Sequence, residues 1–275
     1  MQISNFNDYN IYPGSIYIHK DADIAEDVEI SVGCIIHENV IIKEGSRLSE
    51  NCIIRPNVKI EKNCEIHDNV EIAYNYQKGM QTTIGENSII RRGSTLYAGN
   101  NFGKGFQTGS FAHIRENCTF GEFCSVGTLT QFEGYTTVGK YSRFHTNVHI
   151  GQNSEIGQYV WIFPYVIFTN DKYPPHDICP PYKTHKGPII ENFAIVATSS
   201  VLMPGITIGE DSLIGAGSIV TKNVPNGELW MGNPAKFIKK VEDIKWDDSF
   251  AKDFGDKNPY PWRFSFRRKG YLIDK

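Results

Sequence analysis

Apolar residues recur at every sixth position along most of the chain. From Ile18 the sequence reads IHKDAD, IAEDVE, ISVGCI, IHENVI, IKEGSR and LSENCI, and the frame runs through Ile167 as 25 hexads. The first position of a hexad is almost always Ile, Leu, Val or Phe, and the fifth is usually small or β-branched. Two inward positions separated by polar residues suit a short strand followed by a tight bend. The period therefore predicts an all-β solenoid whose coils stack through parallel backbone hydrogen bonds about 4.7 Å apart.

The hexad frame is interrupted once, by an insertion. Ile190 opens the next clean run and lies 22 residues after Phe168, which is not a multiple of six. Six hexads follow, so 31 hexads form one domain of roughly ten coils, at three hexads per coil. The irregular hexads IAYNYQ and KGMQTT are expected to stay within the frame. We predict that the solenoid covers residues 1–225 with a loop insertion at about 169–189, and that a C-terminal helix and an aromatic-rich tail, packed on the solenoid, cover 226–275.

Five of the six cysteines follow the repeat. They occupy the fifth position of a hexad, where other hexads carry Ser, Ala or Val: Cys34, Cys52, Cys64, Cys118 and Cys124. We therefore interpret them as small core residues rather than as metal ligands or disulfide partners. Cys179 lies in the insertion, outside the pattern. Reduced thiols agree with a cytoplasmic location.

The charge balance does not favour nucleic acid or an anionic membrane as a partner. The chain has 28 Lys and Arg residues against 31 Asp and Glu residues, which gives a net charge of −3. The N-terminal MQISNFNDYN lacks the basic start and apolar run of a signal peptide, and no stretch of about 18 apolar residues follows it. We therefore expect a soluble cytoplasmic protein in which any anion site is local.

Chemistry in a solenoid is expected where the repetition fails. The insertion Asn170–Pro188 carries five prolines, which stiffen it into an extended arm. The outward surface of the central coils is rich in His and Arg, and the C-terminal stretch departs from the simple hexad pattern. These three regions hold the candidate functional residues.

The C-terminal stretch carries three strings that resemble a known family. Gly215–Ser218 (GAGS), Val220–Pro225 (VTKNVP) and Gly232–Lys236 (GNPAK) are similar to the closing coils of hexapeptide-repeat acyltransferases that use acetyl-CoA. The resemblance implies a left-handed parallel β-helix, a homotrimer with sites between neighbours, and acetyl-CoA as co-substrate without a metal. Small residues would let the pantetheine arm lie against the backbone, and lysines would meet the CoA phosphates. The cofactor-binding residues implied are Ala197, Ala216, Gly217, Lys222, Asn233, Pro234 and Lys236.

A narrower resemblance rests on shorter motifs. Phe168–Pro174 (FTNDKYP), Thr108-Gly109 and Ile114–Glu116 (IRE) are similar to N-acyltransferases that modify an amino group on a nucleotide-linked deoxysugar, of the dTDP-3-amino or dTDP-4-amino type. Ser110 stands where those enzymes often have His, and His113 follows three residues later. The sequence therefore leaves open which side chain meets the amine. The KYP portion has the alternative role of a loop anchor.

Acyl transfer to an amine defines the chemistry that the resemblance implies. A neutral amine attacks the thioester carbonyl, an oxyanion must be stabilised, and the departing thiolate can accept a proton, so positioning alone can supply much of the rate. If a protein base acts, histidine suits neutral pH. His145 is favoured and His149 is the second candidate, because both flank an inward residue and face outward. Surface histidines without a catalytic role are the alternative.

Substrate binding needs cations for a diphosphate and polar groups for a sugar. The candidates for the diphosphate are Arg91, Arg92 and Arg115, and those for the sugar are Ser94, Glu116, Asn170 and Asp171. The alternative for each of them is an exposed residue on the coil surface.

Two other functions use a solenoid of this kind. A γ-class carbonic-anhydrase-like enzyme needs three His around a metal, to which His145 and His149 would contribute. A structural or ice-binding solenoid needs flat ladders of one small polar residue. The ending that resembles acetyl-CoA enzymes argues against the first function, and the heterogeneous, charged outward positions argue against the second.

Overall fold

The computed structural model describes residues 6–173 and 185–244 as a stack of short strands. The first strands are β1 (Tyr9–Tyr12), β2 (Ile16–His19), β3 (Asp23–Ile24), β4 (Glu29–Ile30), β5 (Ile35–Ile36), β6 (Ile41–Ile42), β7 (Arg47–Leu48), β8 (Ile53–Ile54), β9 (Val58–Ile60), β10 (Glu65–Ile66), β11 (Glu71–Tyr74) and β12 (Thr82–Ile84). The central strands are β13 (Ile89–Ile90), β14 (Thr95–Tyr97), β15 (Asn101–Phe102), β16 (Gln107–Thr108), β17 (His113–Ile114), β18 (Thr119–Phe120), β19 (Ser125–Val126), β20 (Gln131–Phe132), β21 (Thr137–Val138), β22 (Arg143–Phe144), β23 (His149–Ile150), β24 (Glu155–Ile156), β25 (Trp161–Ile162) and β26 (Ile167–Phe168). The last strands are β27 (Ile189–Ile190), β28 (Ile195–Val196), β29 (Val201–Leu202), β30 (Thr207–Ile208), β31 (Leu213–Ile214), β32 (Ile219–Val220), β33 (Glu228–Gly232) and β34 (Ala235–Lys240). Two three-residue 3₁₀ helices, Phe6–Asp8 and Val241–Asp243, flank them.

Every third strand pairs with the next, which produces three faces. Face A runs from β2 through β5 and β8 to β32, face B from β3 through β6 to β30, and face C from β4 through β7 to β31 and then β33. All these pairings are parallel, whereas β1 and β34 add antiparallel to the ends of faces A and C. The protein is a left-handed parallel β-helix of about eleven coils, as the repeat and the family resemblance predict. We name the edges between faces the C/A, A/B and B/C corners.

The core consists of the first and fifth hexad positions. Aliphatic residues fill most of it, and the central coils contain a stack of phenyl rings in which the centroids of Phe102 and Phe120 lie 5.3 Å apart. The five cysteines named above are free and buried. The Cys52 thiol, for example, donates to the carbonyl oxygen of His67 at 3.0 Å. Their interpretation as core residues is confirmed, while Cys179 lies outside the described residues.

One hexad is extruded from the coil between β11 and β12. The paired residues Val58 and Thr82 are 24 positions apart, whereas stacked residues in uninterrupted coils, such as Ser125 and Arg143, are 18 apart. The extra six residues form a loop, within which Tyr76 accepts a hydrogen bond from the Asn57 amide at 2.6 Å. IAYNYQ and KGMQTT therefore stay within the frame, as expected, but together they contribute only one hexad to the coil. An insertion of one full period leaves the phase of the sequence unchanged, so the frame cannot reveal it.

The described part of the C-terminal region is a hairpin rather than a helix. Strand β33 extends face C next to β31, and β34 returns antiparallel to β33. Gly232 and Pro234, at and beside the turn, disfavour a helix there, and the open edge of face C offers backbone partners. The predicted helix is thus corrected for 226–244, and residues 245–275, with the aromatic tail, lie outside the described residues.

The insertion leaves the β-helix at the A/B corner, between β26 and β27. Its two ends meet where the Lys186 backbone N–H donates to the Asn170 carbonyl oxygen at 2.8 Å. Residues 174–184 lie outside the described residues. No helix within 6–173 or 185–244 has the length and apolar character needed to cross a membrane.

Candidate active site

A column of residues along the C/A corner departs from the regular surface. The residues that directly follow the central face C strands are Arg91, Gly109, Gly127, His145 and Phe163. A Cβ on Gly127 would collide with the backbone of His145, and one on Gly109 would collide with the backbone of Thr128. The two adjacent glycines therefore allow close contact between coils and leave a gap on the surface between Arg91 and His145.

This gap is a cavity of about 340 Å³. Its lining combines an arginine and several amide- and hydroxyl-bearing residues with two glycines and two core residues: Arg91, Gln107, Thr108, Gly109, Ser110, Ser125, Val126, Gly127, Thr128 and Phe144. The size is at the lower end of ligand pockets, roughly 300–1,000 Å³. Such a lining suits a small polar group better than an apolar one.

The Arg91 side chain is held at the edge of the cavity by an irregular contact between coils. Its Nη1 donates to the Thr108 carbonyl oxygen at 2.5 Å, while its backbone N–H donates to the Thr108 hydroxyl at 2.8 Å. β13 and β16 accordingly pair only at Ile89 and Gln107. Arg91 is thus the predicted substrate residue that the structure places on the cavity wall.

His145 lies on the coil above Gly127. Its ring stacks on Phe163 with centroids 4.9 Å apart and planes 20° apart. Partial burial lowers the pKa of His145 from its usual 6.5, and the charge of Arg143 lowers it further. The imidazole is therefore mostly neutral at pH 7, as a general base must be.

His149 lies on a different surface from His145. It faces outward from face A, where its strand neighbours are Gln131 and Ile167. His113 lies on the same face, and its ring packs edge-on against Tyr97 at 5.1 Å. Burial lowers the pKa of His113, and neither His113 nor His149 is among the residues that line the cavity.

Two predicted substrate residues near the cavity have other partners. Arg92 pairs with Asp68 at 3.5 Å and lies 6.0 Å from the centre of the Phe111 ring. Ser94 is 0% exposed, so its expected contact with a sugar is wrong. It occupies the fifth hexad position, where the side chain points inward, and its hydroxyl donates to the Gly109 carbonyl oxygen at 3.2 Å. Ser94 thus supports the cavity floor from below.

The remaining substrate candidates lie together at the A/B corner. Arg115 binds Glu116 through two nitrogens, at 2.9 and 3.2 Å, and also pairs with Glu133. Asp171 accepts a hydrogen bond from the Tyr173 backbone N–H and lies 3.8 Å from a ring nitrogen of His185. Asn170 begins the insertion beside them. One whole hexad across face A separates this group from Arg91 and His145 within one chain.

Most of the predicted CoA-binding residues continue the C/A corner above His145. Ala197 and Gly215 follow Phe163 in the same column, and Ala216 and Gly217 form the corner turn. The turn of the hairpin, with Asn233 and Pro234 and with Lys236 beside it, reaches this corner, because the Gly232 N–H donates to the Ser218 hydroxyl at 3.2 Å. Lys222 lies apart, after β32 at the A/B corner.

Thr108 is a further residue at the cavity. Thr108 belongs to the Thr108-Gly109 motif but was not predicted to be a site residue, although it is a polar residue where the neighbouring face C strands end in Ile90 and Val126. This break in the apolar pattern is a signal that could have identified it.

Among the described residues, no three His, Cys, Asp or Glu side chains converge on a possible metal position, so they give no support to the carbonic-anhydrase-like alternative.

Comparison with known proteins finds acetyltransferases. Galactoside O-acetyltransferase of Escherichia coli (strain K12) is 32% identical over 135 residues, covering 40% of this chain and 66% of that protein. The bifunctional protein GlmU of Trichodesmium erythraeum is 28% identical over 151 residues, covering 55% of this chain and 30% of that protein. The chain thus spans less than two thirds of the length of either relative. No family model matches the sequence.

Solved structures give the same kind of match over part of the chain. The maltose O-acetyltransferase from Clostridium difficile 630 has 28% identity and a TM-score of 0.35, covering 42% of this chain and 64% of that one. A hexapeptide-repeat acetyltransferase from Vibrio cholerae complexed with acetyl coenzyme A has 24% identity and a TM-score of 0.36, covering 43% and 71%. The hexad coils and the sequence relatives together make the chain similar to the hexapeptide-repeat acetyltransferases.

Proposed function

We propose that the protein transfers an acyl group, acetyl in the simplest case, from CoA to the amino group of a nucleotide-linked deoxy-aminosugar. The observation that carries the proposal is the position of His145, above the polar cavity and below Phe163, Ala197 and Gly215 in the same column. The acceptor would enter from the cavity, and the thioester would approach along Ala197 and Gly215. The two substrates would then meet beside an imidazole that is neutral at pH 7.

The reaction is an acyl exchange between sulfur and nitrogen. The amine nitrogen attacks the thioester carbonyl carbon, the C–N bond forms, and the C–S bond breaks as the tetrahedral intermediate collapses. The proton lost from nitrogen passes to His145 or directly to the departing CoA sulfur. A base in the position of His145 contributes about 10²–10⁴-fold where it acts.

Sequence relatives support the transferred group and the acceptor class. Galactoside O-acetyltransferase is, by its name, an acetyltransferase that acts on a sugar derivative. We extend that chemistry to this chain, with an amine in place of a hydroxyl as acceptor because of the FTNDKYP, Thr108-Gly109 and IRE motifs.

The proposed site requires more than one copy of the chain. Arg91 and His145 lie at the C/A corner, whereas Arg115, Asn170 and Asp171 lie at the A/B corner. A homotrimer, in which the A/B corner of one copy adjoins the C/A corner of the next, would bring the two groups to one substrate. We propose this assembly and a cytoplasmic setting for it.

The test is release of CoA thiol across a panel of acceptors. The panel contains dTDP-linked 3-amino and 4-amino deoxysugars and the matching hydroxy sugars, with acetyl-CoA as donor. We expect turnover with an amino sugar and CoA binding in calorimetry. The N-acyltransferase proposal fails if only hydroxy sugars react, and the acyltransferase proposal fails if CoA does not bind at millimolar concentration.

A further inference from the structure

Two arginines beside the cavity differ from the other arginines of the solenoid. Within 6–173 and 185–244, Arg47, Arg55, Arg92 and Arg115 each form an ion pair with a carboxylate. Arg91 and Arg143 form no ion pair with any described carboxylate. Arg143 lies next to the cavity residue Ser125 on face C, and its guanidinium is 5.5 Å from the centre of the Trp161 ring. The rim of the cavity therefore carries positive charge that no described side chain neutralises.

Thr108 is the polar exception among the strand ends of face C. The last residues of the other two-residue strands on this face are apolar: Ile30, Leu48, Ile66, Ile90, Val126, Phe144, Ile162, Val196 and Ile214. Thr108 is only 1% exposed, so its hydroxyl is fully within the protein. A buried hydroxyl is expensive unless it forms hydrogen bonds, which it does with the Arg91 N–H and with Ser94.

The Thr108 hydroxyl replaces the Thr108 carbonyl oxygen as acceptor of a backbone hydrogen bond, and that carbonyl oxygen then binds the Arg91 side chain. In other coils the residue after a face C strand donates its N–H to the strand-end carbonyl of the next coil, as His67 does to Ile90 at 2.9 Å. At Arg91 the N–H goes to the Thr108 hydroxyl instead, at 2.8 Å. The Thr108 carbonyl oxygen is then free to accept the Arg91 guanidinium at 2.5 Å. This arrangement holds the charge at the cavity.

We propose that the cavity is a phosphate subsite for the nucleotide part of the substrate, in which Arg91 contacts the phosphate and Thr108 positions Arg91. A guanidinium offers five N–H donors, and the tether to Thr108 uses one nitrogen, so the remaining donors are available for phosphate oxygens. The hydroxyls of Ser110, Ser125 and Thr128 add neutral donors around the same space. The inference rests on the proposed function, since it identifies where the acceptor's phosphate binds.

CoA is the second source of phosphate in the reaction, and the fold separates it from the cavity. Gly109 and Gly215 occupy the same column five coils apart, which corresponds to roughly 24 Å. The predicted CoA-binding residues lie above His145, whereas the cavity lies below it. The phosphate in the cavity is therefore that of the nucleotide sugar.

The experiment compares Thr108→Val, Thr108→Ser and Arg91→Gln with Arg47→Gln as a paired, distant control. Calorimetry measures binding of dTDP, UDP, inorganic pyrophosphate and CoA, and kinetics give KM for both substrates. Hydrogen bonds to charged groups contribute enough that Arg91→Gln should weaken nucleotide or pyrophosphate binding by about 10- to 100-fold. Thr108→Val should raise Kd and the sugar-nucleotide KM by about tenfold, with kcat and CoA binding within twofold of wild type, and Thr108→Ser should restore the wild-type values.

Each other outcome contradicts a specific part of the inference. Weaker CoA binding in Arg91→Gln would assign the cavity to CoA phosphate, and failure of the wild type to bind dTDP, UDP or pyrophosphate would remove the subsite. Equal losses in Thr108→Val and Thr108→Ser, with unchanged thermal stability, would show that the hydroxyl does not position Arg91. Thiol release tests the acyltransferase proposal separately, so an enzyme that turns over without these effects would retain its function and lose only the phosphate subsite.

Discussion

At the scale of single residues, His145 carries the most specific prediction. Partial burial and the charge of Arg143 place its pKa below 6.5, so the wild-type rate should fall as pH drops below that value and the imidazole becomes protonated. We expect His145→Ala to lower kcat by about 10²-fold or more and to remove this acidic limb. The control is His67→Ala, which changes a half-buried histidine four coils below His145 in the same column. A loss under about tenfold with an unchanged pH–rate profile would instead indicate direct attack, with the proton passing to solvent or CoA sulfur.

The core cysteines provide a second residue-level prediction. The fifth hexad position already holds buried serines at Ser46 and Ser142, which donate to carbonyl oxygens in the same way as the cysteine thiols. Cys52→Ser and Cys118→Ser should therefore fold, and they should retain full activity that does not depend on a metal. Assays with and without a chelator, together with metal analysis of each variant, test this. Loss of a stoichiometric metal in either variant would refute the core interpretation.

The sequence predicted individual residues best where the repeat dictates their direction. The burial of the cysteines follows from hexad position, and the same rule, applied to Ser94, would have excluded it from the substrate list. The role of Thr108 could not be derived, because it depends on which coil stacks on which and on a hydrogen bond that replaces a regular backbone bond. Position within the hexad is visible in one sequence, whereas contacts between coils require the fold.

At the scale of structural elements, a column of stacked aromatic rings occupies the B/C corner, where the backbone conformation is unfavourable for aromatic residues. Phe123, Tyr141, Tyr159 and Phe193 lie one above another at the B/C corner, with centroids 4.9 to 5.2 Å apart. All four have positive φ, which is costly for bulky side chains and is usually left to Gly or Asn. Stacking between coils offsets this cost, since each ring pair contributes about 0.5–1.5 kcal/mol.

This ladder predicts different effects for two tyrosines with the same backbone geometry. Tyr159 (φ 58°) is stacked on both sides, whereas Tyr165 (φ 60°) is 58% exposed and has no described ring partner. Tyr159→Asn should lower the free energy of unfolding by about 1–3 kcal/mol, because it removes two stacked pairs. Tyr165→Asn should change it by less than about 0.5 kcal/mol. Urea unfolding of both variants measures the difference, and equal losses would contradict a stabilising role for the stack.

Elements were predicted well wherever the hexad repeats and poorly where the chain leaves the coil. The insertion after Phe168 breaks the frame and is visible, whereas the extruded hexad after β11 keeps the phase and is hidden. The C-terminal hairpin was not predicted from the sequence for a different reason. The partner of β33 is β31, an edge strand that only the assembled coil provides. The hexad pattern alone therefore locates the coils, but it does not locate every loop or hairpin that leaves them.

At the scale of the whole molecule, the proposed site requires two edges of the solenoid at once. Arg91 and His145 lie at the C/A corner, and Asp171 and Arg115 lie at the A/B corner. Six residues separate the corners of one face, a span of at most about 20 Å. The proposed cyclic trimer would place one copy's A/B corner against the next copy's C/A corner, so that one substrate could contact both groups.

Subunit complementation tests this arrangement directly. His145→Ala removes the proposed base from one corner, and Asp171→Ala removes a proposed sugar contact from the other, which should raise the sugar-nucleotide KM and leave the acetyl-CoA KM nearly unchanged. Co-expression of the two variants would produce mixed trimers in which, with random assembly, about a quarter of the sites combine an intact His145 from one copy with an intact Asp171 from its neighbour. At sub-saturating sugar nucleotide, the mixture should therefore recover about a quarter of wild-type activity, far above either variant alone. Variants purified separately and mixed without dissociation serve as the control, because their trimers cannot exchange copies. If the co-expressed mixture gives only the average of the two variants, both groups act within one chain, and the proposed site between neighbouring copies is wrong.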